Sequence, residues 1–194
     1  MRKVEVGEIL DLTAYEKIRE HHLVETIEMK KARRVAVGDR LTFIFENRET
    51  VLFQIQEMVR VERIVDEKAI RAEVDVYNDL IPDEYELSAT LMLEIPQSER
   101  IRDELDRLIG IDEHVFLDVG DGSVRALFDE KQFEADRISA VQYIRFPLGP
   151  ELSALFEDET QAVVLRVAHP HYEAQVALKG EPRRSLIADL RSGS

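Results

Sequence analysis

The spacing of apolar positions changes several times along the chain, and each change predicts an element. Thr13 is a candidate cap for a long helix to about Arg34, with Tyr15, Ile18, His22 and Met29 on one stripe and basic residues in the last turn. Val35 to Val37 and Leu41 to Glu46 flank Gly38-Asp39 and read as a hairpin, with Leu41, Phe43 and Phe45 on one face. Asn47 can cap a helix over about 48–65, and Asp66 a second carrying Ile70, Val74, Tyr77 and Ile81 before Pro82 stops it. From Tyr85 to Ile95 the apolar residues alternate with Glu86, Ser88, Thr90 and Glu94, the pattern of a strand with one wet face. Ser98 begins a helix bearing Ile101, Leu105 and Leu108, which Gly110 ends. Strands then dominate: Val115–Val119 and Val124–Phe128 around Gly120-Asp121-Gly122, then Ile138–Phe146. A short helix over 148–156 separates these from strands at 162–168 and 172–178, joined through His169-Pro170-His171. Leu186, Ile187 and Leu190 lie on a closing helix.

Helices come first and strands with short connections follow, which predicts an α+β fold. The expected arrangement is a helical N-terminal half packed on a mostly antiparallel sheet or open barrel built largely from the C-terminal half. A single domain is expected over residues 1–191: helix-rich over 1–82, strand-rich over 83–180, with the closing helix over 181–191. Residues 192–194 read as a flexible tail.

Composition narrows the functional classes. The 194 residues are 44% hydrophobic and 34% charged, enough for a core and a hydrated surface. Cysteine is absent from the sequence, which excludes disulfides, thiolate nucleophiles and Cys-ligated zinc or iron–sulfur clusters. The net charge of −14 disfavours nucleic acid and anionic membranes as partners. No apolar run approaches the ~18 residues of a membrane span, and the first residues lack a signal-peptide pattern. A cytoplasmic protein is expected. The charge is uneven: residues 1–40 hold nine basic and eight acidic side chains. The basic ones concentrate in Lys30, Lys31, Arg33 and Arg34, either complementing a helix C-terminus or forming a patch for an anion or acidic partner.

Candidate chemistry is sparse. There is no Gly-rich phosphate loop, Walker lysine, Gly-x-Ser-x-Gly elbow, Glu-x-x-His pair or His-x-x-x-His pair. No haem, flavin or other cofactor is expected. On a helical wheel, Glu62 falls within the apolar arc of Val51, Leu52, Ile55, Met58 and Val59. It is expected in the interior, held by an Arg, or acting as a metal ligand or general base. Glu57 and Arg60 share its helix, so Glu57, Arg60 and Glu62 are candidates for a polar pocket. His22 can be a hydrogen-bonded core residue oriented by Glu25. His169 and His171 stand two apart in an extended segment, where both rings can face one transition metal together with further ligands.

Several runs carry a resemblance. They include Gln54-Ile55-Gln56-Glu57-Met58-Val59-Arg60-Val61-Glu62-Arg63, Tyr77-Asn78-Asp79-Leu80-Ile81-Pro82, Arg145-Phe146-Pro147-Leu148 and His169-Pro170-His171-Tyr172. With Arg34 to Gly38 and Phe45 to Arg48, they make nearly the whole chain similar to a bacterial family, domain of unknown function 3501. The family has no assigned activity. Its genes are often neighbours of rubrerythrin and of an iron–sulfur, flavin-linked oxidoreductase. The resemblance therefore implies an accessory protein of redox or peroxide-stress metabolism with those proteins as partners. Two other readings stand beside it: a metal- or small-ligand-binding enzyme using Glu57, Arg60 and Glu62, and a purely structural homodimer.

Overall fold

The structure, a computed structural model, describes residues 1–94, 101–129 and 138–192. Helix α1 (Leu12–Arg33) is capped two residues before the expected position, because the Asp11 carboxylate accepts the Ala14 N–H at 2.9 Å. It runs directly into β1 (Arg34–Val37), which pairs through a tight turn with β2 (Leu41–Glu46). Asn47 caps α2 (Arg48–Val61) in a reciprocal arrangement with Thr50, each bond 3.0 Å long. Only Glu49 and Val61 of α2 are exposed, making it the least exposed helix among the described residues. Asp66 caps α3 (Glu67–Asn78), accepting from Lys68 and Ala69. The remaining elements are β3 (Glu86–Leu93), α4 (Ile101–Asp106), β4 (Val115–Val119), β5 (Gly122–Arg125), β6 (Leu127–Phe128), β7 (Val141–Pro147), α5 (Gly149–Glu157), β8 (Val163–His169), β9 (Tyr172–Ala177) and α6 (Gly180–Ser192).

The strands form two antiparallel sheets, ordered β1-β2-β3-β7-β6 and β5-β4-β8-β9. Their inner faces share one core. Phe43, Phe45, Leu87, Leu91 and Phe146 of the first sheet join Leu117, Leu165 and Val167 of the second, with Phe156 of α5 and Leu186 of α6. A separate apolar cluster (Val4, Val51, Ile55, Val59, Val74 and Ile81) binds α2 to α3 and the N-terminal segment. The second sheet keeps a wet outer face, where Arg166 grips Asp118 at 2.7 and 3.0 Å and lies over the Phe116 ring.

The α+β class holds, but the expected partition of the chain does not. Residues 34–93 supply three of the five strands of the first sheet, and α4 and α5 are interspersed among the later strands. There are two sheets and no closed barrel among the described residues. The cause is the β1–β2 hairpin. Its short apolar runs find partners in β3 and, through β3, in β7, pairings distant in sequence that local periodicity cannot reveal. Two boundary details also differ. The hairpin expected over 115–128 splits at Ala126, so that β5 stays in the second sheet and β6 joins the first. Ser192 ends α6, whereas 193–194, like Ser98, lie outside the described residues.

One glycine ties the sheets together. Gly38 has φ +69, and a Cβ there would sit 2.1 Å from the Tyr172 hydroxyl oxygen. That hydroxyl donates to Val37 O at 2.7 Å and accepts from the Arg40 N–H at 3.2 Å, fastening β9 to the β1–β2 turn. Gly38→Ala is expected to lose about 1–2 kcal/mol from the left-handed backbone alone, and more from displacing Tyr172. Chemical denaturation would register this. A neutral Gly38→Ala would show that the contact is dispensable.

Candidate functional site

The face of β3 expected to be wet is covered. Ser88 is 3% and Thr90 6% exposed, and their cross-strand neighbours Glu46 and Ile44 are buried as well. Helix α2 and the turn after α3 lie over this face: Gln54 reaches Glu46, and the Ser88 hydroxyl donates to Leu80 O at 2.6 Å. Tyr143 and Arg145 of β7 extend the same face, opposite Thr90 and Ser88. A polar layer is therefore enclosed between the sheet and the helices, where packing alone would favour apolar side chains.

Glu46 is the centre of this layer. Its side chain accepts from Thr90 Oγ1 at 2.7 Å, from Thr50 Oγ1 at 2.5 Å and from Gln54 Nε2 at 3.1 Å. All three donors are neutral, and among the described residues no ion pair includes Glu46. A cavity of about 200 Å³ opens beside it, walled also by Asp79, Phe128, Asp129, Tyr143 and Arg145. Burial, and then the Glu46 charge, push the Tyr143 phenol above its ordinary range. Arg145 does not neutralise the cavity. Its guanidinium donates to Glu86 and to Asp79 O, and Asp83 Oδ2 lies 3.6 Å away. The arrangement can hold a small molecule against a desolvated carboxylate; by itself it presents no nucleophile–base pair.

The residues singled out in the sequence lie elsewhere. Glu57 and Arg60 come together, but in a closed cluster. Arg19 grips Glu57 at 2.8 and 2.9 Å, Arg60 at 3.2 Å, and the Tyr15 hydroxyl donates at 2.8 Å. The Arg19 hydrogen bonds, aided by Arg60 and Tyr15, hold the Glu57 carboxyl at about 2. Glu62 does not join them, and its expected burial is overturned. Helix α2 stops at Val61, Glu62 is an exposed C-cap residue, and Arg63 turns the chain at φ 54. The wheel that placed Glu62 inside assumed a helix continuing to residue 65.

The basic run does not form a patch. Arg33 is 2% exposed and crosses the core to Asp189, Phe45 O and Glu46 O, Arg34 pairs with Glu94, and Lys31 pairs with Glu28. Lys30 is half-buried. His22 meets Tyr15 edge to face at 6.2 Å, and Glu25 pairs with His21 instead.

His169 and His171 do stand together, with His114 as a third ring 5.1 Å from His169. The metal reading finds no free nitrogen on His169. Its Nδ1 accepts the His171 N–H at 3.2 Å, and its Nε2–H donates to Ile109 O at 3.0 Å. Among the described residues no group of three or more His, Asp or Glu is placed to hold a metal ion. Burial, with His114 and His171 alongside, lowers the His169 pKa from 6.5. Below pH 6.5 the unfolded chain therefore binds the proton more readily than the folded one, and stability falls with pH. The protonated ring would also turn an N–H toward the His171 N–H. Thermal unfolding is expected to come earlier at pH 5 than at pH 7, with a smaller pH dependence in His169→Gln. Equal pH dependence in the two proteins would exclude His169 as the source.

Sequence reasoning missed Glu46. It ends an apolar strand, immediately before a cap residue, where an acidic side chain reads as helix-start decoration. The available signal was joint: Glu46, Ser88 and Thr90 on two adjacent strands, with helices before and after them to cover that face.

Comparison with known proteins agrees with the resemblance. Residues 3–190 match the family described as "Protein of unknown function (DUF3501)", and the chain belongs to that family. It is also similar to a solved structure described as a novel protein of unknown function from Burkholderia pseudomallei K96243. The two are 36% identical with a TM-score of 0.91, over 97% of this chain and 100% of that one. Comparison with curated proteins gives no match. No helix among the described residues is long and apolar enough to cross a membrane.

Proposed function

We propose that this is a cytoplasmic accessory protein that acts by holding a small ligand in the cavity beside Glu46. One observation carries the reading: a carboxylate 3% exposed, with no ion pair among the described residues, on the wall of a cavity. Taking such an ion out of water costs on the order of several kcal/mol, and hydrogen bonds from neutral donors offset part of that. An apolar residue would pack this layer without the penalty. Retention of a charge that packing does not require is the mark of a site kept for binding.

The redox setting rests on the family resemblance alone. It makes rubrerythrin and an iron–sulfur, flavin-linked oxidoreductase the partners to test. A chain without cysteine has no thiol of its own to oxidise, so the expected contribution to such partners is binding and delivery.

Ligand-observed NMR against a mixed set of small molecules tests the site. Leu127 lies on the cavity wall at an exposed edge position, where Leu127→Trp would fill the mouth without disturbing the core. Compounds that bind the native protein are expected to lose binding in Leu127→Trp. Binding indifferent to that substitution would place the ligand elsewhere. Co-purification with either redox protein would support the partner assignment, and clean separation from both would remove it.

A further inference from the structure

We infer that the cavity beside Glu46 selects a small organic cation, a primary ammonium or a guanidinium group, with its charge against the Glu46 carboxylate. The inference rests on the proposed ligand site and adds the chemical class of the occupant.

Charge comes first. Among the described lining residues, Glu46 and Asp79 carry carboxyl groups and Arg145 a guanidinium. Arg145 is already engaged by Glu86, Asp83 and Asp79 O. Among the described lining residues no cation stands against the Glu46 carboxylate, so an anion seated there would meet repulsion. Acceptor capacity points the same way. A carboxylate offers about four lone-pair positions, and Glu46 has three filled by Thr50, Thr90 and Gln54. The position left is one that a charged N–H donor fills best.

Size and composition exclude the nearest competitors. About 200 Å³ is below the ~300 Å³ at which pockets for drug-sized ligands begin, so nucleotides and flavins do not fit. A divalent metal needs several ligands converging on one point, and no such group of three exists among the described residues.

The test uses the full-length protein and four probes of similar size: n-butylammonium, guanidinium, n-butanol and butyrate. Binding is read by titration calorimetry and by the amide NMR signals of Ser88, Thr90 and Tyr143. The two cations are expected to bind and to shift those signals, with butanol and butyrate at least tenfold weaker. Glu46→Gln is expected to weaken the cations at least tenfold, and Leu127→Trp to block them while leaving Glu46 in place. If butanol or butyrate binds as well as the cations, or if Glu46→Gln binds them unchanged, the cation assignment is overturned while the cavity remains a ligand site. If no probe of any charge shifts those signals, the ligand site itself is overturned.

Discussion

Arg33→Met is expected to destabilise the protein by about 3–5 kcal/mol, the usual effect of removing one member of a buried ion pair. Arg33 leaves α1 and enters the core with almost no exposure. Its Nε–H donates to Phe45 O at 2.7 Å, one amino group reaches Ser185 Oγ at 2.9 Å, and the other reaches Glu46 O at 3.1 Å and the Asp189 carboxylate. Methionine keeps much of the apolar stem and strands every one of those acceptors, including a charged one. At roughly 2–4 °C per kcal/mol for a chain of this size, melting should fall by about 10 °C. Burial raises the Asp189 pKa above 3.8 against the pull of Arg33, so the carboxylate is held in place at a cost. The double variant Arg33→Met, Asp189→Leu is therefore expected to recover most of the loss, leaving chiefly the two unpaired carbonyls. If the double variant is no better than the single one, the charge pair is not what holds α1 and α6 together.

Glu57→Gln should have a large effect whose size depends on pH. The folded carboxyl titrates at about 2 against an ordinary value of 4.5, because of Arg19 first and then Arg60 and Tyr15. A depressed carboxylate contributes stability that is full above pH 4.5 and disappears as pH falls toward 2. About a fifth of the side chain is exposed. With solvent screening, the contribution at pH 7 is about 1–2 kcal/mol. Urea unfolding of native protein and Glu57→Gln should differ by that amount at pH 7 and converge near pH 2. A gap that persists at low pH would assign the effect to packing.

Local signals were legible where one element decides them. Asn47 and Asp66 cap α2 and α3 as their positions predict, and the apolar arc of α2 faces the cluster that includes Val51, Ile55 and Val59. Illegible were the consequences of distant contacts. The alternation from Glu86 to Thr90 identified a strand with a polar face, but whether water or a helix covers that face depends on α2 and the turn at Leu80. Arg33 looked like one of four surface bases until Asp189, distant in sequence, gave it a buried partner. Glu62 was misplaced by the length of one helical turn. Glu46 was overlooked because its significance lies in lacking a charged partner among the described residues, and a missing counter-ion has no sequence pattern.

The misreadings of Ser88, Thr90 and Glu46 share a cause: the polar face of the first sheet was taken as solvent-exposed. Once it is enclosed, a charge without a counter-ion among the described residues stands out as the feature that folding does not explain. If Glu46 is kept for a ligand, removing its charge should not harm the fold. In Glu46→Gln the amide oxygen can face Thr50 and Gln54, while the amide N–H groups face Thr90, whose hydroxyl can turn to accept. Weaker hydrogen bonds and relief from burying a charge then offset each other. Thermal denaturation of ligand-free Glu46→Gln at pH 7 is the most direct measurement. The expected result is a melting temperature equal to or above that of the native protein. A fall as large as that of Arg33→Met would show that Glu46 is a structural fastening and would contradict the account.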